Sequence, residues 1–303
     1  MSGVDPNARM TGRDIAEMVA LGALWGASYL FMRHAAPAFG AVPLIWLRVT
    51  LASLVLVPLL LWHGEGPELR REIRPLALVG VLNSGVPFVL IAWATLSVTA
   101  GFAAIVNAST PIFTALVGAL WLGDRLDRSR SVGLAIGFAG VLLLSIDKAD
   151  FRPGGSGWAV LALLGAALCY GFAANTAKRH LAGVGARVGA GGTQAVSSLL
   201  LAPLAWWLWP EQMPGPSQWG AAALLALVST ALANLLFFRL LGRLGASRTV
   251  TVTFLIPVFG SLWGALFLGE AVTGAMWRGG AVILLGTALA TGVLRPAWLT
   301  RRG

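Results

Sequence analysis

Charge is scarce in this chain: Asp, Glu, Lys and Arg make up 11% of its 303 residues, where a soluble domain carries about 25%. Mean hydropathy is +0.79 and 57% of the residues are hydrophobic, so the reading is an integral membrane protein with no room for a soluble domain. Cysteine is scarcer still. The single Cys169 sits within an apolar run, which excludes an intrachain disulfide and a thiolate metal site and leaves it as a small hydrophobe. The three histidines, His34, His63 and His180, fall at the ends of apolar runs, and all 12 acids fall in tails, loops or run ends. An intramembrane enzyme needs paired acids, an HExxH-like metal motif or a deep histidine beside a nucleophile; none is present, and no cofactor is implied. A proton-coupled carrier usually needs a buried acid or histidine as its relay, so the expectation is uncoupled, facilitated movement.

What the chain does have is apolar runs long enough to cross a bilayer. Charges, prolines and glycine clusters divide it into ten spans near 15–34, 42–62, 75–95, 99–122, 130–146, 156–177, 188–209, 218–238, 247–268 and 275–294. The longest connection is the basic HGEGPELRREIR. The first run, with APA at 36–38, has some look of a cleavable signal. The repeat described next gives it a partner later in the chain, and cleavage is not expected.

IVNASTPIFTALVGALWLGDRL at 105–126 returns as TVTFLIPVFGSLWGALFLGEAV 146 positions later, with nine of 22 positions identical. An offset of 145 aligns Trp25 with Tyr170, Arg33 with Lys178, Pro58 with Pro203, Trp62 with Trp207 and Ser84 with Ser229. An offset of 146 then aligns Ala100 with Ala246, Pro111 with Pro257, Gly123 with Gly269, Asp124 with Glu270, Gly133 with Gly279 and Gly140 with Gly286. One register therefore links two five-span units, 1–147 and 148–303. Because five is odd, the second unit enters the membrane from the opposite side. The fold class expected is an all-α membrane protein of ten transmembrane helices in a 5+5 inverted repeat. With the N-terminus inside, 17 of the 22 Lys and Arg residues lie on the inner side. This charge bias places both termini in the cytoplasm and explains the net charge of +10 without nucleic acid. The partners expected are the lipid bilayer and a small-molecule substrate; the oligomeric state is left open.

Three stretches, ALWGASYLFMR in the first span, the TP-centred fourth span ending in LGD, and its copy IPVFGSLWGALFLGE, resemble the drug/metabolite transporter superfamily in its ten-span EamA-type branch. The resemblance covers essentially the whole chain. It implies a central cavity built mainly from spans 1, 3, 4, 6, 8 and 9, and within the branch the chain is similar to bacterial amino-acid exporters of the YddG type. On that resemblance the aromatic positions of spans 1 and 6 fall on Trp25 and Tyr170. Asn83 and Thr110 stand where aromatic residues are expected in spans 3 and 4, which argues against specificity for aromatic solutes alone. The function implied is export of amino acids or similar small metabolites from the bacterial cytoplasm by alternating access. The rivals are export of amphipathic drugs or cations and a non-transporting scaffold.

Read from the residues, Trp25, Ser28, Tyr29 and Met32 share one helical face. Asn107, Thr110 and Thr114 share another, and Thr253 precedes Pro257. Asn83, Asn175 and Asn234 are amides within apolar spans, each needing protein or water rather than lipid. The candidate cavity residues are therefore Trp25, Ser28, Tyr29, Asn83, Asn107, Thr110, Tyr170, Asn175, Asn234 and Thr253. Pro111 and Pro257 are the candidate kinks and gates, expected to kink and interrupt their spans midway, with freed carbonyls that face protein or a water-filled cavity and could meet a substrate ammonium. Arg48 is read as an outer-end residue snorkelling to the interface, which leaves the cavity without ionised groups.

Overall fold

The computed structural model describes residues 10–124, 126–153 and 155–294, and among them every regular element is helical. Among the described residues, nine helical segments are long and apolar enough to cross a membrane: Gly12–Phe39, Ala41–Trp62, Ile73–Ala94, Ala100–Leu122, Arg128–Lys148, Gly157–His180, Ala186–Trp207, Pro216–Leu244 and Val250–Leu268. A tenth apolar helix, Gly274–Ala290, is shorter at 17 residues. These bounds follow the expected spans closely; the first helix runs on to Phe39 and the eighth segment to Leu244. Arg9, Arg125, Arg295, Arg301, Arg302 and Gly303 lie outside the described residues.

Short polar residues set the helix starts. Thr11 and Asp14 form a reciprocal capping box on α1 (Gly12–Phe39), satisfying two otherwise orphaned donors. Thr99 caps α6 (Ala100–Asn107) and Asp127 caps α8 (Arg128–Ser145) through their side chains. Thr273 does the same for α15 (Gly274–Ala290). Between them lie α2 (Ala41–Trp62), α3 (Gly66–Arg71), α4 (Ile73–Gly80), α5 (Val86–Ala94) and α7 (Thr110–Leu122). The later helices are α9 (Gly157–His180), α10 (Ala186–Trp207), α11 (Pro216–Ala226), α12 (Ala233–Leu244), α13 (Ala246–Thr249) and α14 (Ile256–Leu268).

The matched prolines Pro111 and Pro257 stand where the fourth and ninth spans are interrupted. α6 stops at Asn107, and Pro111 is the second residue of α7; Pro257 is likewise the second residue of α14, after a 3-10 turn over Val250–Phe254. At that position the missing N–H costs nothing, so each proline starts a new helix. The carbonyls released at the first break are not free either. Ser109 donates to Val106 O at 2.7 Å, Thr110 to Asn107 O at 2.8 Å and Thr287 to Ala108 O at 3.1 Å.

Two further interruptions were not legible in the sequence. Val81–Gly85 and Leu227–Leu232 are π-helical, and they contain the repeat-related Ser84 and Ser229. Pro87, at the head of α5, removes an N–H from the first ladder. In the second, the Thr230 hydroxyl donates to Leu225 O, five residues back, at 2.8 Å. Such widened turns collect at functional sites.

Glycine brings the helices together, as expected where lipid offers no hydrophobic drive between them. α8 lies against α15 along Gly133, Gly137 and Gly140 on one side and Gly279 and Gly286 on the other. α2 packs on α10, and α1 on α14. Bulky apolar side chains face outward, with Trp62 91%, Trp206 86% and Trp207 84% exposed, as a lipid-facing surface and its interfacial belt require.

At the end where α1 begins, Arg243 pairs with Asp14 and with Glu17, and Arg239 with Glu17 at 3.1 Å. At the other end of α1, Glu270 takes the Ala100 N–H at 2.9 and 3.1 Å with its two oxygens and faces Arg33 at 3.7 Å. Arg33 in turn donates to Thr95 O at 2.5 Å and Leu96 O at 3.1 Å. Glu270 follows Gly269, which closes α14 at φ 65°, as Gly123 closes α7 at φ 70°; only glycine takes that left-handed turn without strain. The repeat-related pair, Lys178 and Asp124, meets at 3.0 Å.

Candidate functional site

One cavity of about 300 Å³ lies among the broken helices. α1 contributes Trp25, Ser28, Tyr29 and Met32 to its wall, one face of one helix, as their spacing requires. The α6–α7 break contributes Asn107, Ala108, Thr110 and Pro111. The two π-helical turns contribute Asn83, Ser229 and Thr230, and Tyr170, Asn234 and Thr253 complete the sequence-derived set. Asn175 and Pro257 are not part of the wall. Asn175 is 4% exposed and donates to Gly171 O at 2.8 Å and Thr114 O at 3.0 Å, so it holds α9 against α7.

Several wall residues also serve the scaffold. Trp25 lies 5.3 Å from Phe237, centroid to centroid, and Tyr170 6.5 Å from Phe88. Asn234 donates to Thr230 O at 2.8 Å, and Thr253 to Val250 O at 2.8 Å. Each thereby closes part of its own broken helix while lining the cavity.

The reading of Arg48 as a snorkelling outer-end residue does not survive. Arg48 is 5% exposed and forms part of the cavity wall. Its Nε donates to Thr230 Oγ1 at 2.9 Å, its Nη1 lies 3.8 Å from Met32 Sδ, and its guanidinium carbon stands 3.6 Å over the Phe88 ring. The cavity is therefore apolar and amide-rich with one fixed positive charge. Among the described residues, its wall contains no carboxylate and no histidine. Gln194, also missed, is 3% exposed and donates to Ser84 Oγ at 3.1 Å. A lone charge or amide inside an apolar span was the signal available for both. Only packing revealed that they face inward.

The two ends of the cavity differ. α6 lies flat on α14, with Gly101 against Ser261, Gly260 against Ala104 and Gly264 near Ala100. The repeat-related contact would set residues 246–253 on α7, and among the described residues no packing as extensive as that of α6 on α14 occurs there. The ion pairs follow the same bias: Arg33 and Glu270 are 34% and 12% exposed, Lys178 and Asp124 62% and 45%.

The EamA-like transporter family matches the chain twice, over residues 15–146 and 157–292. The chain belongs to this family. It is a multi-pass membrane transporter. Among its relatives, the uncharacterized inner membrane transporter YedA of Escherichia coli (strain K12) is 25% identical over 278 residues, covering 90% of this chain and 89% of its own. A probable terminal-alkyne amino-acid exporter of Streptantibioticus cattleyicolor is 24% identical over 270 residues, covering 88% and 89%. A solved crystal structure superposes with a TM-score of 0.68 at 22% identity, covering 95% of this chain and 99% of the other, and so shares the fold. In this EamA-like transporter, no three His, Cys, Asp or Glu side chains among the described residues gather as a metal site.

Proposed function

We propose that this protein exports amino acids or similarly small metabolites across the bacterial cytoplasmic membrane by alternating access, without ion coupling. The ten helices would form two inverted units, 1–147 and 148–303, with both termini cytoplasmic. The observation that carries the reading is the cavity itself. At about 300 Å³ it stands at the small end of ligand pockets, sized for one small solute. Rings, amides and hydroxyls line it. A relative named as an amino-acid exporter agrees with that chemistry.

Alternating access is supported by the unequal ends. A closed α6–α14 contact on the proposed outer side, beside a looser counterpart on the proposed inner side, is one of the two states that an inverted repeat can exchange. Uncoupled movement is supported by the wall's lack of a carboxylate or histidine to carry a proton. Export of cationic drugs is disfavoured by Arg48, since a fixed positive charge in a small cavity repels a second one.

Flux in proteoliposomes tests this. Labelled neutral amino acids should move down their gradient at the same rate with and without an imposed proton gradient, and accumulation driven by protons refutes the uncoupled mechanism. Trp25→Ala and Tyr170→Ala should each lower flux about tenfold, by removing ring surface from the solute, while the protein still purifies as a single species. Wild-type flux in both variants removes the two rings from the site.

A further inference from the structure

We infer that Arg48 is the anion-recognition group of the cavity, and that its solutes carry one carboxylate together with a hydrogen-bond donor facing Gln194. The inference rests on the reading of this cavity as the transport site.

Arg48 is a buried cation with no carboxylate of the described residues in ion-pair range; its partners are a hydroxyl, a thioether and a ring face. Neutral partners and a ring compensate a buried charge only in part, and a guanidinium presents five N–H groups in a planar fork suited to a carboxylate. Nε is anchored to Thr230, whose own hydroxyl is committed to Leu225 O. The fork is thus positioned by the π-helical turn within the cavity wall, with Nη1 against Met32 Sδ. Nor does the repeated architecture require the charge. The equivalent position in the second unit is Thr193, whose hydroxyl merely returns to Gly189 O and Ala190 O of its own helix.

Polar atoms in the same wall are also unsatisfied. Gln194 Oε1, Ser28 Oγ and Ser229 Oγ are buried without a hydrogen-bond partner, and each such atom is costly to leave unpaired. The amide oxygen can only accept and is closed off from the cavity in this arrangement, so it would meet a solute donor such as an ammonium or hydroxyl once the Gln194 side chain turns inward; the serines could then serve either group. One guanidinium matches a monoanion. A phosphate dianion would call for more positive charge than the wall holds.

The test uses the purified protein in detergent and the rise in its melting temperature with ligand, which responds to binding of the folded state. The probes are phenylalanine, phenylalaninamide, 3-phenylpropanoate and phenyl phosphate. Phenylalanine should act at concentrations about tenfold or more below the amide, because a polar site rejects an analogue that lacks its partner group. Arg48→Gln should erase that difference. Arg48→Lys, which keeps the charge but not the fork, should retain part of it, as should Thr230→Val. Should Arg48→Gln fail to fold, Arg48→Lys and Thr230→Val decide. Equal response to acid and amide in the wild type, full discrimination in Arg48→Gln or in both milder variants, or a preference for phenyl phosphate overturns the assignment. Binding of 3-phenylpropanoate but not of phenylalanine, lost in Arg48→Gln, would keep Arg48 as the anion site while defeating both the donor half of the inference and the amino-acid reading.

Discussion

Gly286→Ala should destabilise the protein by about 3 kcal/mol, the upper part of the range for overpacking a filled core. A Cβ at Gly286 would stand 2.5 Å from Gly137 Cα and 2.8 Å from Gly133 O, with the Gly137 amide nitrogen nearer still. These are backbone atoms, which no rotamer change can move aside, so α8 and α15 would have to separate. Their contact joins the fifth and tenth expected spans, and loosening it removes packing that lipid does not replace. The measurement is thermal unfolding in detergent, with the monodisperse fraction as a second readout. Gly220→Ala is the control. Its Cβ would meet nothing within 4 Å, and an added methyl in a helix is neutral to slightly stabilising. Equal melting temperatures for the two variants would show that the glycine stripe is not the joint between these helices.

Glu270→Ala should open the end of the cavity that the proposed topology places outside. The carboxylate caps the first N–H of α6 with both oxygens and faces Arg33, tying the start of α6 to the ends of α14 and, through Arg33, α5. A carboxylate cap with the favourable charge at a helix N-terminus contributes about 1 kcal/mol. A partly shielded ion pair adds up to about 1 kcal/mol. Losing about 2 kcal/mol from the closed arrangement shifts a two-state equilibrium about 30-fold. With Cys169 replaced by serine and Asn107 by cysteine, an impermeant maleimide should label the cavity mainly from the cytoplasmic side. Adding Glu270→Ala should raise labelling from the periplasmic side by at least about tenfold. Asp124→Ala, at the exposed counterpart, should change it far less. If Glu270→Ala leaves sidedness unchanged, the contact is not a latch; if Asp124→Ala has the same effect, the two ends are not in different states.

These predictions depend unequally on sequence and structure. The helices themselves were legible, because the bilayer's thickness sets their length and the need to pair every backbone group leaves few alternatives. Most of the cavity wall was legible too. Trp25, Ser28, Tyr29 and Met32 keep helical spacing, and polar residues in an apolar run must turn inward. Asn175 shows the limit of that rule: facing inward can mean packing, and its amide is used up by two carbonyls. Pro111 and Pro257 marked where two spans are interrupted, but not what takes up the released carbonyls, which depends on neighbours brought in by packing. At Pro111 those partners are Ser109, Thr110 and the distant Thr287.

The amino-acid sequence by itself determined the class of molecule, the places where its helices run, and the pairing of positions between two halves, since composition and periodicity are one-dimensional properties. Tertiary structure alone decided that Arg48 faces the cavity, that Gly133, Gly137 and Gly140 meet α15 of the same chain, and that one of two related contacts packs more closely than the other. Each of these turns on which helix lies beside which and at what rotation. Two halves with matched sequences can still pack unequally, because helices joined by small interlocking surfaces settle into discrete arrangements rather than a shared average.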